Sequence, residues 1–245
     1  MTFPAIARTR NDLARSEAAV AARFDALHAR FKGEVAVDDP RTQAILGALG
    51  PLDGRLVLDL GCGKGRFARV LAARGARVVG LDVSAAMLDQ ADGSSLQRVQ
   101  GSARRLPFAS AIFEAAVAVE VFEHIEPAAL DAAFAEAARV LRPGGTLVIV
   151  DKNVLAMNAQ RPWLPAAAVK WRDERRGLWM YPANGPVRER WFRPASMRRR
   201  LRAWFPEVRV EHPVSRDEAG RFPFNVVPMS RLFVLWAART PGGAS

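Results

Sequence analysis

A chain of 245 residues, half of them apolar and a quarter charged, has the mix of a globular protein with one main domain and a sizeable core. No apolar run approaches the roughly 20 residues of a membrane span, arginines interrupt Met1 to Arg30 so that no secretory core is legible there, and the single cysteine, Cys62, excludes an intramolecular disulfide and a cysteine-rich zinc site. A cytoplasmic protein is expected, and its net charge of +11 is carried by arginine apart from Lys32, Lys64, Lys152 and Lys170, with a dense stretch between Lys170 and Arg202.

From Arg10 to Phe31 the residues Leu13, Val20, Phe24, Leu27 and Phe31 recur at helical spacings, which predicts an amphipathic helix with one face to pack. Asp39 as N-cap and Pro40 at the first helical position open a second helix that ends before Gly50 and Pro51. Strands and helices then alternate: strand 55–60, helix 65–75, strand 77–82, helix 84–93, a short strand near 96–102, strand 115–120, helix 127–141 and strand 145–152. Such alternation predicts a parallel sheet covered on both faces, a doubly wound α/β fold. Residues 153–192, rich in tryptophan and proline, break the pattern and read as an insertion. A helix over 195–205, a strand over 207–212, a proline- and charge-rich loop over 213–230 and a strand over 231–238 complete the chain.

The turn between the first strand and its helix reads "GCGKG", with Gly61, Gly63 and Gly65 at alternating positions. Glycines here let the main chain approach a ligand closely and aim helix N–H groups at it. The dinucleotide fingerprint G-x-G-x-x-G fails because Arg66 stands at its third glycine, and no Walker loop surrounds Lys64. Asp59 ends the first strand and Asp82 the second. Carboxylates there repel a pyrophosphate and suit a ligand that carries a cationic ammonium or sulfonium together with a ribose. The plainer alternative is that these acids merely cap the succeeding helices, as Ser84 does for the helix after Asp82.

At these residues the sequence resembles the class I S-adenosylmethionine-dependent methyltransferases, and in particular the branch that includes the ubiquinone and menaquinone biosynthesis methyltransferases. The resemblance covers about residues 50 to 152 and rests on "VLDLGCGKG", "VVGLDVSAAML", "GSARRLPFASAIFEAAVAVEVFEHI" and "RVLRPGGTLVI". It implies a Rossmann-like seven-stranded sheet, mostly parallel with the last strand antiparallel, and S-adenosyl-L-methionine as cofactor. Carried over residue by residue, Asp59, Gly61, Cys62, Gly63 and Gly65 would surround the methionine part of the cofactor, and Asp82 would hold the ribose. Val83 and Met87 would lie beside the adenine, Ser102 and Ala103 at its edge, and Val119 and Glu120 on the sulfonium side. Glu114 departs from the family, which has Asp at that point.

Methyl transfer from a sulfonium is an in-line displacement, so positioning supplies much of the catalysis, and a base is needed only for a protonated acceptor. The catalytic candidates are His124 and Glu120; Glu120, Glu123 and His124 also have a spacing that resembles the metal cluster of some quinone O-methyltransferases, although a metal-free site is the expectation. The domain reading is an N-terminal helical lid over 1–50 and a core over 51–245, with 153–192 as the acceptor-binding insertion. There Trp163, Trp171, Trp179, Tyr181, Trp191 and Phe192 alternate with basic residues, forming either an aromatic and cationic wall for an apolar or anionic acceptor or a small core that pins the insertion. A small-molecule biosynthetic intermediate, methylated at O, N or C, is the expected acceptor, with room for peripheral membrane contact. An RNA substrate for the basic segment is the weaker alternative, lacking an appended RNA-binding module, and a non-catalytic cofactor-binding scaffold is the other.

Overall fold

The computed structural model describes residues 9–91 and 96–243. Helices α1 (Arg10–Leu27) and α2 (Pro40–Leu49) precede the sheet. Strands and helices then alternate as β1 (Leu56–Leu60), α3 (Arg66–Ala72), β2 (Arg77–Asp82), α4 (Ala85–Asp89), β3 (Leu96–Gln100), β4 (Phe113–Val119), α5 (Leu130–Val140) and β5 (Leu141–Lys152). Helix α6 (Ala166–Arg175) lies inside the insertion, and α7 (Pro194–Leu201), β6 (Glu207–Glu211) and β7 (Phe233–Arg239) come after it.

The seven strands run in the order β3-β2-β1-β4-β5-β7-β6. The first five pair in parallel, and β7 is antiparallel to both β5 and β6. Alternation along each strand divides the apolar side chains between two layers. Leu58, Leu60, Ala116, Ala118, Leu147 and Ile149 face α5 and α7. Val57, Ala115, Val117, Val148 and Val150 face α2 and α3. With both faces covered, the strands read as continuous apolar runs rather than alternating ones.

The start signals act as the sequence indicates. Asp39 caps α2 by accepting from Arg41 N at 2.9 Å, and Ser84 caps α4 by accepting from Met87 N at 3.1 Å. Several boundaries differ. Helix α1 stops at Leu27 and tightens into a 3-10 turn over His28–Arg30, so Phe31 lies beyond it. Helix α4 ends at Asp89, and residues 92 and 93 of its predicted span lie outside the described residues. Strand β5 begins at Leu141, because Leu141 already pairs with Phe113 before the register shifts. No described helix is long and apolar enough to cross a membrane.

Glu114 has a local role. Its carboxylate accepts from Leu56 N at 2.6 Å and pairs with Arg142, tying the start of β1 to β4 and β5 at the sheet edge away from the crevice.

Candidate active site

In this order the chain leaves β3 at one edge and returns to place β4 beside β1, so the switch point opens a crevice beyond the carboxyl ends of β1 and β4. A cavity of about 540 Å³ fills it, lined by Asp59, Gly61, Cys62, Gly63, Asp82, Val83, Met87, Ala103, Val119 and Glu120 among others. Gly65 and Ser102 stand off this wall. Gly65 is the left-handed N-cap of α3 with φ 75°, and the Ser102 hydroxyl donates to Glu17.

Two of the glycines are needed for different reasons. At Gly61, with φ 63°, a β-carbon would lie 2.5 Å from a Val121 methyl, so the protein itself leaves no room. At Gly63, with φ 53°, a β-carbon would meet nothing within 4 Å and would project into the cavity. Asp82 accepts from Gly63 N at 2.8 Å and from Ser84 N at 2.9 Å, which pins the glycine loop to the end of β2. Burial raises the Asp82 carboxyl against those hydrogen bonds. Asp59 is more isolated. Its Oδ2 is buried without a partner among the described residues, and burial together with the charge of Asp82 pushes its carboxyl up to about 7. A carboxylate so placed is poised for an added cation or donor. Cys62 is buried under the loop, and burial raises its thiol.

Glu120 succeeds β4 with φ 58°, a conformation uncommon outside glycine and a mark of local strain. Its carboxylate accepts from Arg41 at 2.7 Å, Arg66 at 3.3 Å and Lys152 at 3.1 Å. Burial alone would raise Glu120, but Lys152, Arg66 and Arg41 outweigh it and hold the carboxyl below the usual range. Three cations therefore occupy the side chain named as a candidate base. Lys152 also donates to Glu123 at 2.6 Å and lies 3.6 Å from Glu189. Burial pushes Glu123 up to about 8, with Glu189 and Glu120 adding to the rise and Lys152 opposing it. Glu120 and Glu123 thus converge on an ammonium. Among the described residues no group of three or more His, Cys, Asp or Glu side chains is arranged to hold a metal ion.

His124 sits in the 3-10 turn Phe122–His124, with its Nδ1 buried and unpartnered. Its Nε2 is 3.6 Å from Glu123, and burial together with the Lys152 charge pushes the imidazole down to about 3, so it is neutral at physiological pH. Aromatic rings enclose it: Tyr181 at 4.8 Å between centroids and Phe24 edge-on at 5.2 Å. Val20, Phe24, Leu27 and Phe31 from the N-terminal segment pack with Trp179, Tyr181 and Val187 into a small third core beside the cavity.

The aromatic residues of the insertion divide among several surroundings. Trp179 and Tyr181 line the cavity, Trp191 packs on Trp179, and Phe192 packs against Trp236 at the sheet, while Trp163 and Trp171 stand exposed. Of the cations expected among these aromatics, Lys170 pairs with Glu174 and lies 5.9 and 5.8 Å from the ring centroids of Trp179 and Trp191, whereas Arg172 pairs with Asp173 and Arg175 stacks on Trp171. Sequence reasoning missed the cations gathered on Glu120 and the polar reach of α1. Glu17 receives Ser102 and Arg104, and Asp25 receives Ser84 Oγ at 2.6 Å. Only Lys152, one of four lysines in an arginine-rich chain, gave a hint.

A methyltransferase domain family matches residues 58–149, the stretch from β1 through β5. Over that stretch the chain carries a methyltransferase domain. It is 33% identical over 168 residues to a ubiquinone biosynthesis O-methyltransferase of Alkalilimnicola ehrlichii, covering 62% of this chain and 66% of that protein. It is 37% identical over 131 residues to a demethylmenaquinone methyltransferase of Beutenbergia cavernae, covering 52% and 50%. The chain thus spans about half to two thirds of the length of these relatives. Among solved folds, an S-adenosylmethionine dependent methyltransferase from Mesorhizobium loti superposes with a TM-score of 0.63 at 22% identity, over 82% of this chain and 98% of that one. Phosphoethanolamine N-methyltransferase 2 of Haemonchus contortus, in complex with S-adenosyl-L-methionine, does so with a TM-score of 0.62 at 17% identity, over 95% and 57%. The cradle suits the family's donor: open space at Gly63, an unpartnered buried oxygen on Asp59 and a second carboxylate at Asp82 match a cationic amino-acid end and a ribose.

Proposed function

We propose that this methyltransferase methylates a small, apolar, ring-bearing acceptor at a hydroxyl group. The observation that carries the proposal is the aromatic chamber of Phe24, Phe31, Trp179 and Tyr181, which is continuous with the glycine cradle and holds His124 in its wall. S-adenosylmethionine supplies a methyl carbon already activated by its sulfonium. The chain supplies the rest. Asp59 and Asp82 bind the donor by its cationic and ribose ends, with Gly61, Cys62, Gly63, Val83, Met87 and Ala103 shaping the walls. Val119 and Glu120 close the sulfonium side, where Glu120 serves as a fixed, neutralised strut. Neutral His124 stands in the chamber wall as an uncharged group that orients a bound acceptor, its imidazole held well below the range of an effective base by burial.

In this reading α1 and the insertion form the lid and acceptor wall, excluding water and holding the acceptor in line with the methyl carbon. A chamber of this size, open at one mouth, favours a small molecule over an RNA strand. The names of the relatives, a ubiquinone biosynthesis O-methyltransferase and a demethylmenaquinone methyltransferase, point to quinone biosynthesis intermediates, and hydroxyl-bearing members of that class are the acceptors to try. Incubating the protein with isotopically labelled S-adenosylmethionine and an extract rich in such intermediates should yield a labelled methyl ether. His124→Ala should raise the KM for the acceptor more than it lowers kcat, as expected for a group that orients the acceptor. Unchanged kinetics would remove His124 from the site, and label found only on RNA would overturn the acceptor assignment.

A further inference from the structure

Eight of the ten large hydrophobic side chains that stand exposed among the described residues fall in two segments, 155–178 and 222–229. The segments adjoin. Met157 N donates to Ser230 O at 2.8 Å, Asn153 Nδ2 to Met229 O at 2.8 Å, and Arg221 Nη1 to Ala159 O at 2.9 Å. Trp163 is 72% exposed, Phe222 73% and Trp171 60%, with Val226 and Met229 also in water. A folded chain that concentrates apolar side chains in this way marks a surface it uses.

The charge around them is one-sided. Arg161, Arg172, Arg175, Arg176 and Arg221 are exposed. Asp173 and Glu174, the only carboxylates within the two segments, are matched by Arg172 and Lys170, and Asp217, exposed just before the second segment, is outnumbered by its exposed neighbours Arg216 and Arg221. The Arg175 guanidinium lies 4.9 Å from the Trp171 ring centroid, which joins an aromatic body to a cationic head. Such pairs suit the boundary between acyl chains and anionic headgroups. The face also runs into the chamber. Leu178, 72% exposed, lines the cavity mouth, and Trp179, Met180 and Tyr181 continue from it into the interior.

We propose that this face binds an anionic lipid surface and turns the mouth of the acceptor chamber toward it. A second copy seated on the same face would set arginine against arginine, which opposes a symmetric dimer there. The proposal goes beyond methyl transfer and does not require it. An apolar acceptor dissolved in the lipid would pass from the surface into the chamber without crossing bulk water.

Co-sedimentation with phosphatidylcholine vesicles containing phosphatidylglycerol, and with phosphatidylcholine vesicles alone, tests it. The protein should sediment with the anionic vesicles, less so as salt rises, and not with the neutral ones. Replacing both Trp163 and Phe222 by serine leaves every charge in place and should weaken binding at least about tenfold. S-adenosylhomocysteine binding by the same variant should match the parent, as a check of the fold. Absence of binding to anionic vesicles would overturn the proposal, and so would equal binding by the variant, which would reduce the effect to net charge. A dimeric parent that becomes monomeric in the variant would overturn it as well, by assigning the face to a second copy.

Discussion

Asp59 and Lys152 carry opposite electrostatic burdens. Asp59 is a buried acid with one oxygen unpartnered, and with its carboxyl at about 7 it is partly protonated near neutral pH. Its folded pKa lies above the ordinary 3.8, so stability present at low pH is lost as the pH rises through about 7, where the carboxylate must ionise in the apolar site. A ligand ammonium beside it reverses that preference. S-adenosylhomocysteine affinity should therefore rise as pH increases toward about 7 and flatten above it, with proton release on binding at the lower pH. Calorimetry in buffers of different ionisation heat checks this, and Asp59→Asn should bind more weakly and lose the slope. Lys152 is the single ammonium among Glu120, Glu123 and Glu189. Lys152→Met leaves the buried Glu123 and Glu189 without their cation, while Glu120 keeps Arg41 and Arg66, and should cost about 3–5 kcal/mol, read from urea denaturation. The spacing of Asp59 and the glycines was legible because one strand and one turn hold them. The cations on Glu120 were not, because Arg41, Arg66 and Lys152 come from three different elements.

At the level of elements, α1 covers the cavity with little hydrophobic anchorage. Among its described side chains Leu27 alone is buried in the core, so polar ties hold it: Asp25 to Ser84 and Ala86, Glu17 to Arg104, and Arg23 to the Met180 carbonyl at 2.7 Å. A helix fastened this way opens locally at lower cost than the sheet. Asp25→Ala should increase amide exchange across α1 and raise the KM for the donor, while shifting global stability by less than about 1 kcal/mol. Exchange confined to its parental level would show that the apolar contacts alone hold α1 down. The central strands were legible from their apolar runs, as was α5 from its amphipathic pattern. Helix α6 was not, because it buries only Ala166 and Lys170 and so has no apolar stripe to read. The end of α1 at Leu27 was also hidden, since Phe31 keeps the helical spacing while joining the same small core from beyond the helix.

For the molecule as a whole, the proposed donor site lies at the ends of β1, β2 and β4, which are packed on both faces, so a ligand bound there would report on the entire sheet. At about a hundred times its Kd, S-adenosylhomocysteine should add about 2.7 kcal/mol of stability. For a domain of this size that raises Tm by roughly 5–10 °C. Scanning calorimetry checks it, and no shift at millimolar ligand would sink the donor assignment.

The sequence by itself determined the α/β winding, the glycine cradle and the acids that flank it, because each depends on neighbours within one strand and its adjoining turn. The shape of the aromatic chamber, the proposed acceptor site, was decided only by tertiary structure. Phe24, His124 and Tyr181 lie far apart in the chain and meet through packing of α1 on the insertion, while Trp163 and Trp171, with the same composition around them, face water. Which aromatic side chain becomes a wall and which an exposed anchor depends on the direction each backbone turn gives it, and a direction set by long-range contacts leaves no local periodicity to read.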